Sequence, residues 1–214
     1  GRVLPGYDFV SDPARARDGD ARDPNPRDEG DWSDGECGSA YGSFFHGLFV
    51  AGQIAANTNN GVGIAGVANG VDILPVRTLG TCGGTFEDVL EGMLWASGVQ
   101  IAGVPANPTP AKVINMSLGG YGTCDHAIQE AIDDALAQGA VVVVSAGNES
   151  TDVSEVSPAN CGGVRPGCGL SCGEGCRPHG AGGGRGFGRP FRSRPCRRAS
   201  HRAPSPSRVC SVVH

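Results

Sequence analysis

The feature that most constrains the fold is an alternation of strand-like and helix-like apolar patterns between residues 45 and 148. Apolar runs of strand length occupy 71–77, 112–117 and 140–144, with helical spacing of apolar residues between them. Thr85 with Asp88 predicts one helix N-terminus, and Gly98 predicts its end. This order predicts an α/β fold with a parallel central sheet, right-handed crossovers and helices on both faces. The wholly apolar run 140–144 predicts a central strand buried on both faces.

The two ends of the chain differ from this middle part. Residues 1–44 scatter acidic side chains among Pro and Gly, which predicts a long surface loop region. After Cys161 all periodicity is lost, and the sequence is rich in Gly, Arg and Pro with few branched aliphatic residues. Such a composition cannot build a core and predicts disorder. We therefore divide the chain into an incomplete domain, 1–161, and a tail, 162–214.

The charge divides at the same place. Residues 1–160 carry 7 basic and 21 acidic side chains, whereas residues 161–214 carry 10 basic and 1 acidic. So sharp a change suggests that the two parts were not selected together. One hypothesis is a frameshift near Cys161, because GC-rich codons read out of frame yield Arg, Gly, Pro, Ser and Cys. The alternative is a genuine tail that binds RNA or single-stranded DNA through its charge and the aromatic residues Phe187 and Phe191.

Size and cysteine content limit the class of protein. A length of 214 residues with 39% apolar content allows one core and an appendage. We find no apolar leader and no run of 18 apolar residues, so we expect a processed piece or fragment of a soluble protein without a membrane segment.

Nine cysteines exceed the usual content of a reduced cytosolic domain. Four of them predict two disulfides in a secreted protein, with buried free thiols as the alternative: Cys37, Cys82, Cys124 and Cys161.

Three segments carry candidate chemistry. His46 opens an apolar helix, where its ring can project into a cleft, although a lone histidine is often structural. Asn148 follows the last predicted strand, at the edge where open α/β sheets place their sites, and its carboxamide can donate to an oxyanion. Its alternative role is an ordinary strand exit. The strand at 115–120 ends in two glycines, whose bare backbone can pair with an extended peptide.

Taken together, these segments resemble the subtilisin-like serine peptidases. The corresponding family blocks read His-Gly-Thr-His-Val-Ala-Gly, Ser-Leu-Gly-Gly and Ala-Ala-Gly-Asn, and the likeness covers about 1–161, closest to the secreted bacterial branch with extra cysteines. The resemblance implies a subtilisin-like fold, polypeptide substrates, His46 as general base and Asn148 as oxyanion donor. It also implies the bridges Cys37–Cys82 and Cys124–Cys161. The implied substrate-binding residues are Ser117, Leu118, Gly119, Gly120, Ala146 and Gly147.

The departures from the family pattern concern the reaction itself. Leu48 and Phe49 stand where the family has Thr and His, which makes the turn after His46 bulkier and less polar. Neither Asp-Ser-Gly nor Asp-Thr-Gly occurs, and Asp8 matches the strand after that motif, so it is not assigned to the triad. The nucleophile block Gly-Thr-Ser-Met-Ala is also absent. We therefore expect a serine endopeptidase by family that is inactive alone, with a non-catalytic peptide-binding protein as the alternative.

The acidic residues of the N-terminal loop region are candidate metal ligands. The acidic loop predicts a calcium site, since Ca²⁺ prefers oxygen ligands, with a solvated acidic loop as the alternative. We expect no organic cofactor, no nucleic-acid partner apart from the tail hypothesis, and a monomer. The candidate calcium ligands are Asp20, Asp23, Asp28 and Asp31.

Overall fold

The computed structural model describes residues 2–148, 150–167 and 209–214. The predicted strands and helices of the middle part are present, with bounds that shift by one or two residues. In chain order the elements are β1 Tyr7–Asp8, α1 Pro13–Ala16, β2 Ser33–Asp34, β3 Ala40–Tyr41, α2 His46–Ala55, β4 Asp72–Arg77, α3 Phe86–Ser97, β5 Val113–Met116, β6 Gly120–Tyr121, α4 His126–Ala137, β7 Val141–Ser145, β8 Val156–Ser157, β9 Arg165–Gly167 and β10 Val209–Val213.

The central sheet has six strands in the order β1-β4-β10-β5-β7-β9. Every neighbouring pair in this sheet is parallel, so all the strands end at one edge. Helix α3 connects β4 to β5, and α4 lies between β5 and β7. The prediction of an α/β fold with a parallel central sheet is confirmed.

Helices α3 and α4 cover one face of the sheet. The Thr85 side chain accepts a hydrogen bond from the backbone of Asp88 at the start of α3, and Gly98 ends the helix with a φ of 102°. This left-handed conformation suits glycine because glycine has no Cβ to clash. The buried side chains of the two helices, among them Met93 and Ile132, join the strand residues in the main core. The helix signals in the sequence were therefore interpreted correctly.

Helix α2 packs on the opposite face over β4 and β10. Its partly buried side chains, Val50, Ala51, Ile54 and Ala55, contact a smaller core of Ile73, Cys210 and Val212.

The prediction that 140–144 is buried on both faces is wrong. Burial alternates along β7, because Val142 and Val144 are buried whereas Val141 is 45% exposed. Val113, the partner of Val141 on β5, is also exposed. Among the described residues, α2 packs against β4 and β10, and Val113 and Val141 lie on the strands beyond its contacts.

The strand β10 lies in the middle of the sheet although it comes last in the chain. It is parallel to β4 on one side and to β5 on the other, with Val213 opposite both Val76 and Met116. Val213 is fully buried in the main core. Within 162–214, where we expected no structure, both β9 and β10 are strands, and the branched side chains of Val212 and Val213 suit a buried sheet position. The division of the chain at Cys161 stays a prediction. Residues 168–208, on which the frameshift and nucleic-acid hypotheses bear, lie outside the described residues.

The N-terminal loops are tied to the rest of the fold by ion pairs and a disulfide. Arg22 pairs with Asp88 on α3 at 2.6 Å, and the buried Arg77 on β4 pairs with Asp18 at 3.0 Å. The two bridges implied by the family resemblance, Cys37–Cys82 and Cys124–Cys161, are both formed. In the described ranges, the helices are too short or too polar to cross a membrane.

Replacing Val213 tests the position of β10. Val213→Asp should lower the free energy of unfolding by at least about 3 kcal/mol, because it buries a carboxylate without a partner. Val67→Asp, at a side chain that is 89% exposed, should change it by less than about 0.5 kcal/mol. Urea unfolding followed by circular dichroism measures both, and equal stabilities for the two variants would exclude a central β10.

Candidate active site

His46 is the first residue of α2, at the carboxyl edge of the sheet. Phe45, immediately before it, has a left-handed backbone with a φ of 47°, which turns the chain sharply into the helix. The His46 ring is partly exposed and lies 4.6 Å from the ring of His214, centroid to centroid, with an angle of 49° between the planes. His46 therefore faces the end of β10.

Main-chain hydrogen bonds and a close helix contact hold His214 in place. Its N–H donates to the carbonyl of Val76 at 2.9 Å, and its own carbonyl accepts from the N–H of Thr78. Gly47 allows α2 to approach, because a Cβ at that residue would lie 3.1 Å from the Cβ of His214. The sheet thus fixes one imidazole, and a glycine lets the helix bring the other against it.

The surroundings of His214 favour its neutral form. The pKa of His214 is lowered to about 4, mainly by burial and also by His46, while Asp28 and Asp31 act in the opposite direction. The positive charge of Arg77 also disfavours protonation. At neutral pH the side chain beside His46 is therefore an uncharged imidazole.

Asn148 lies at the same edge, just beyond β7. Gly147 turns the chain there with a φ of 86°, and its N–H donates to the hydroxyl oxygen of Ser145 at 3.1 Å. The N–H of Ala146 donates to the carbonyl of Gly167 on β9. Since β7 lies two strands from β10, and strands are spaced about 4.8 Å apart, the ends of β7 and β10 lie about 10 Å apart. His46 and Asn148 therefore share one rim of the sheet.

An apolar groove follows the segment after β5. Leu118, Gly119 and Gly120 line a cavity of about 300 Å³, with Met116 and Phe86 among the other lining residues. A Cβ on Gly119 would lie 2.9 Å from the carbonyl oxygen of Ser157, so this close approach requires glycine.

Three of the predicted substrate-binding residues do not line this cavity. They are Ser117, Ala146 and Gly147. The Ser117 hydroxyl instead accepts a hydrogen bond from the Asn115 side chain at 3.0 Å. All three lie just beyond β5 or at the end of β7, on the rim that carries Asn148.

Asp8 serves the structure of the edge strand. Its carboxylate accepts from the backbone of Val10 at 2.7 Å and from Arg77 at 2.6 Å, and the residue is fully buried. Burial raises the pKa of this carboxyl to about 7. Asp8 therefore anchors β1 and the side chain of Arg77. This structural role is consistent with leaving Asp8 out of the triad.

The acidic loop brings three carboxylates together. Among the described residues, ligand atoms of Asp18, Asp20 and Asp23 lie within 4.8 Å of one another. This all-oxygen set matches the preference of Ca²⁺. Asp28 and Asp31, the other predicted ligands, are outside this group and act on His214 instead. The calcium site stays a prediction.

His214 is the site residue that sequence reasoning missed. It follows a long aperiodic segment, and no family motif includes it. The only signal is the short valine-rich stretch Val209–Val213, too short to be distinguished from a chance cluster. The position of His214 depends on which strands Val209–Val213 pairs with, and that pairing is set by the tertiary fold and not by local sequence.

The lowered pKa of His214 predicts a specific pH dependence of stability. Its pKa is about 4 when folded and about 6.5 when unfolded, so the unfolded state binds the extra proton and stability falls as the pH drops from 6.5 to 4. His214→Gln should flatten this slope, whereas His126→Gln, at an exposed site, should leave it unchanged. Urea unfolding between pH 4 and 7 measures the slopes, and parallel profiles for all three proteins would contradict the assignment.

Comparison with known proteins gives a consistent result. Residues 15–165 match the subtilase family. The chain is 52% identical over 166 residues to an extracellular protease of Xanthomonas campestris pv. campestris, covering 76% of this chain and 29% of that protein. It is also 52% identical over 172 residues to an extracellular basic protease of Dichelobacter nodosus, covering 77% of this chain and 28% of the relative.

A solved structure of a protease from Pseudoalteromonas arctica superposes with a TM-score of 0.75 at 49% identity, covering 77% of this chain and 50% of that one. The chain spans less than a third of the length of the Xanthomonas campestris and Dichelobacter nodosus proteins. By its match over residues 15–165, this chain belongs to the subtilase family of serine peptidases.

Proposed function

We propose that this chain carries the peptide-binding groove and part of the catalytic machinery of a serine endopeptidase, and that it is inactive alone. In this proposal His46 is the general base and Asn148 the oxyanion donor. The observation that carries the proposal is their common position on one rim of a parallel sheet, beside the groove lined by Leu118, Gly119 and Gly120.

The parent reaction needs three contributions. A serine hydroxyl attacks the peptide carbonyl, a histidine takes its proton, and hydrogen-bond donors stabilise the oxyanion of the tetrahedral intermediate. His46 and Asn148 supply the second and third of these. The 214 residues contain no Gly-Thr-Ser-Met-Ala block, so we propose that this chain forms no acyl-enzyme by itself.

The neighbour of His46 supports the same conclusion. A general-base histidine is usually oriented by a carboxylate, which also stabilises the imidazolium formed when the proton is taken. Here the adjacent ring is the neutral imidazole of His214. It lacks the negative charge that offsets an imidazolium, so this neighbour does not supply the orienting carboxylate of the family's reaction.

The shape and lining of the groove support the proposal that the chain binds polypeptides. The backbone at Gly119 and Gly120 pairs with β8 on one side, and its other edge can pair with an extended peptide. The adjoining cavity of about 300 Å³ has the volume for an apolar side chain. The relatives named as extracellular proteases and the two disulfides support an exported protein. We propose no organic cofactor and a monomer.

A fluorophosphonate probe tests the missing nucleophile. The purified chain should remain unlabelled and should not cleave a casein substrate, because no serine is activated, while an intact subtilisin run in parallel should react. Mass spectrometry of the intact chain reads the label. Stoichiometric labelling of this chain would show that one of its serines is a nucleophile.

Peptide binding can be measured separately from catalysis. Leu118→Asp should weaken binding of a fluorescent peptide with apolar side chains by about 10- to 100-fold, because a charge replaces an apolar contact in the groove. Leu48→Asp, at an exposed side chain of α2, is the matched control and should bind as the unmodified chain does. Fluorescence anisotropy gives the affinities, and equal binding by both variants would place the peptide elsewhere.

A further inference from the structure

The groove beside Gly119 and Gly120 has an uncharged lining within an acidic part of the chain. Among the described residues, those that line its cavity of about 300 Å³ include no charged side chain, and all of them fall between Leu79 and Pro158. Residues 78–165, which contain the whole of this lining, carry 10 acidic and 2 basic side chains. The cavity itself therefore suits an apolar group, while charge acts at its border.

Two acidic residues lie directly beside lining residues. Glu87 is exposed and follows Phe86, which lines the cavity at the start of α3. Asp125 is also exposed, and its carboxylate accepts a hydrogen bond from the backbone N–H of Ile128, another lining residue, at 2.9 Å. The starts of α3 and α4 thus each place one carboxylate at the border of the groove.

A third carboxylate belongs to the residue before β8. Glu155 is exposed and directly precedes β8, whose Ser157 is paired with Gly120 of the groove. The Glu155 carbonyl accepts a hydrogen bond from the N–H of Gly122 at 3.0 Å, and its carboxylate accepts one from the Thr151 hydroxyl at 2.6 Å. These bonds hold Glu155 beside β6 without neutralising its charge.

The ion pairs of the described residues leave these three carboxylates without an arginine or lysine partner. Within 78–165 the two basic residues are Lys112 and Arg165. Lys112 precedes β5 at its amino end, about 13 Å from Met116 at a rise of about 3.3 Å per residue. Arg165 belongs to the edge strand β9, two strands or about 10 Å from β5. Both distances exceed the Debye length of about 8 Å at physiological ionic strength.

The partial charges of the two helices do not reverse the sign. A helix N-terminus carries about half a positive charge. At α4 it meets the full negative charge of Asp125, the N-cap residue. At α3 it meets Glu87 and Asp88 in the first turn, of which Asp88 is paired with Arg22. The border of the groove therefore stays negative at both helix starts.

We propose that the groove binds peptides in which an apolar side chain is flanked by lysine or arginine. The apolar side chain fills the cavity, and the flanking cations lie near Glu87, Asp125 and Glu155. Opposite charges across an interface select partners and speed their association. This inference rests on the proposed peptide binding and adds to it the charge of the bound peptide.

Two fluorescent peptides with the same apolar centre test the proposal, one flanked by lysines and the other by glutamates. At about 0.02 M salt the lysine-flanked peptide should bind the full chain at least about tenfold more tightly, because the Debye length there is about 20 Å. At about 1 M NaCl, where the Debye length is about 3 Å, the two affinities should agree within about twofold. Fluorescence anisotropy measures the four affinities.

A triple variant tests the three carboxylates themselves. It combines Glu87→Gln, Asp125→Asn and Glu155→Gln, which remove charge with little change of shape, and asparagine at 125 keeps the N-cap of α4. The preference for the lysine-flanked peptide at low salt should fall at least about threefold in this variant.

A second triple variant is the matched control, because it makes the same change in net charge away from the groove. Asp72 lies at the amino end of β4, on the opposite edge of the sheet, and Asp133 and Asp134 are exposed about 12 Å along α4 from Asp125. The control should keep the full preference. Its substitutions are Asp72→Asn, Asp133→Asn and Asp134→Asn.

Equal binding of the two peptides at low salt would overturn this inference and leave the proposed function standing. An undiminished preference in the first triple variant, or an equal loss in the control, would also overturn it, since the selecting charges would then lie elsewhere. Binding of neither peptide would contradict the proposed function together with this inference.

Discussion

The architecture depends on the pairing of β10 with two neighbours at once. Val209–Val213 lies parallel to β4 and to β5, and these hydrogen bonds join the two halves of the sheet. Val213 fills the main core on one face, while Cys210 and Val212 complete the smaller core under α2. The same strand ends at His214, so one segment closes the sheet and also supplies the residue that contacts His46.

The position of the candidate site follows from the topology. Because every pair in the central sheet is parallel, the strand ends lie on one edge, and the residues after them are brought together whatever their distance in sequence. His46 reaches this edge from the first turn of α2, and Asn148 reaches it from the turn after β7. Packing of α2 against β10 through Gly47 sets the approach of the two imidazoles.

The sequence predicted the elements whose signals are local. Thr85 and Gly98 bound α3 through a side-chain cap and a left-handed glycine, and those interactions involve only nearby residues. The exposure of Val141 was not predictable from the sequence. An apolar side chain favours burial, but the sequence does not show whether another helix or strand covers that face of β7. The role of His214 was not predictable for a similar reason. Its neighbours come from β4 and α2, more than 130 residues earlier in the chain.

The central claim is that His46 lies on the same rim as the end of β10, with its ring against that of His214. Nuclear Overhauser effects between the ring protons of selectively labelled histidines test this most directly. A cross-peak between His46 and His214 in the folded chain, together with contacts of Val213 to Val76 and Met116, is the expected result. A folded chain with the β4 and β5 contacts of a closed sheet but no effect between the two histidines would contradict the account.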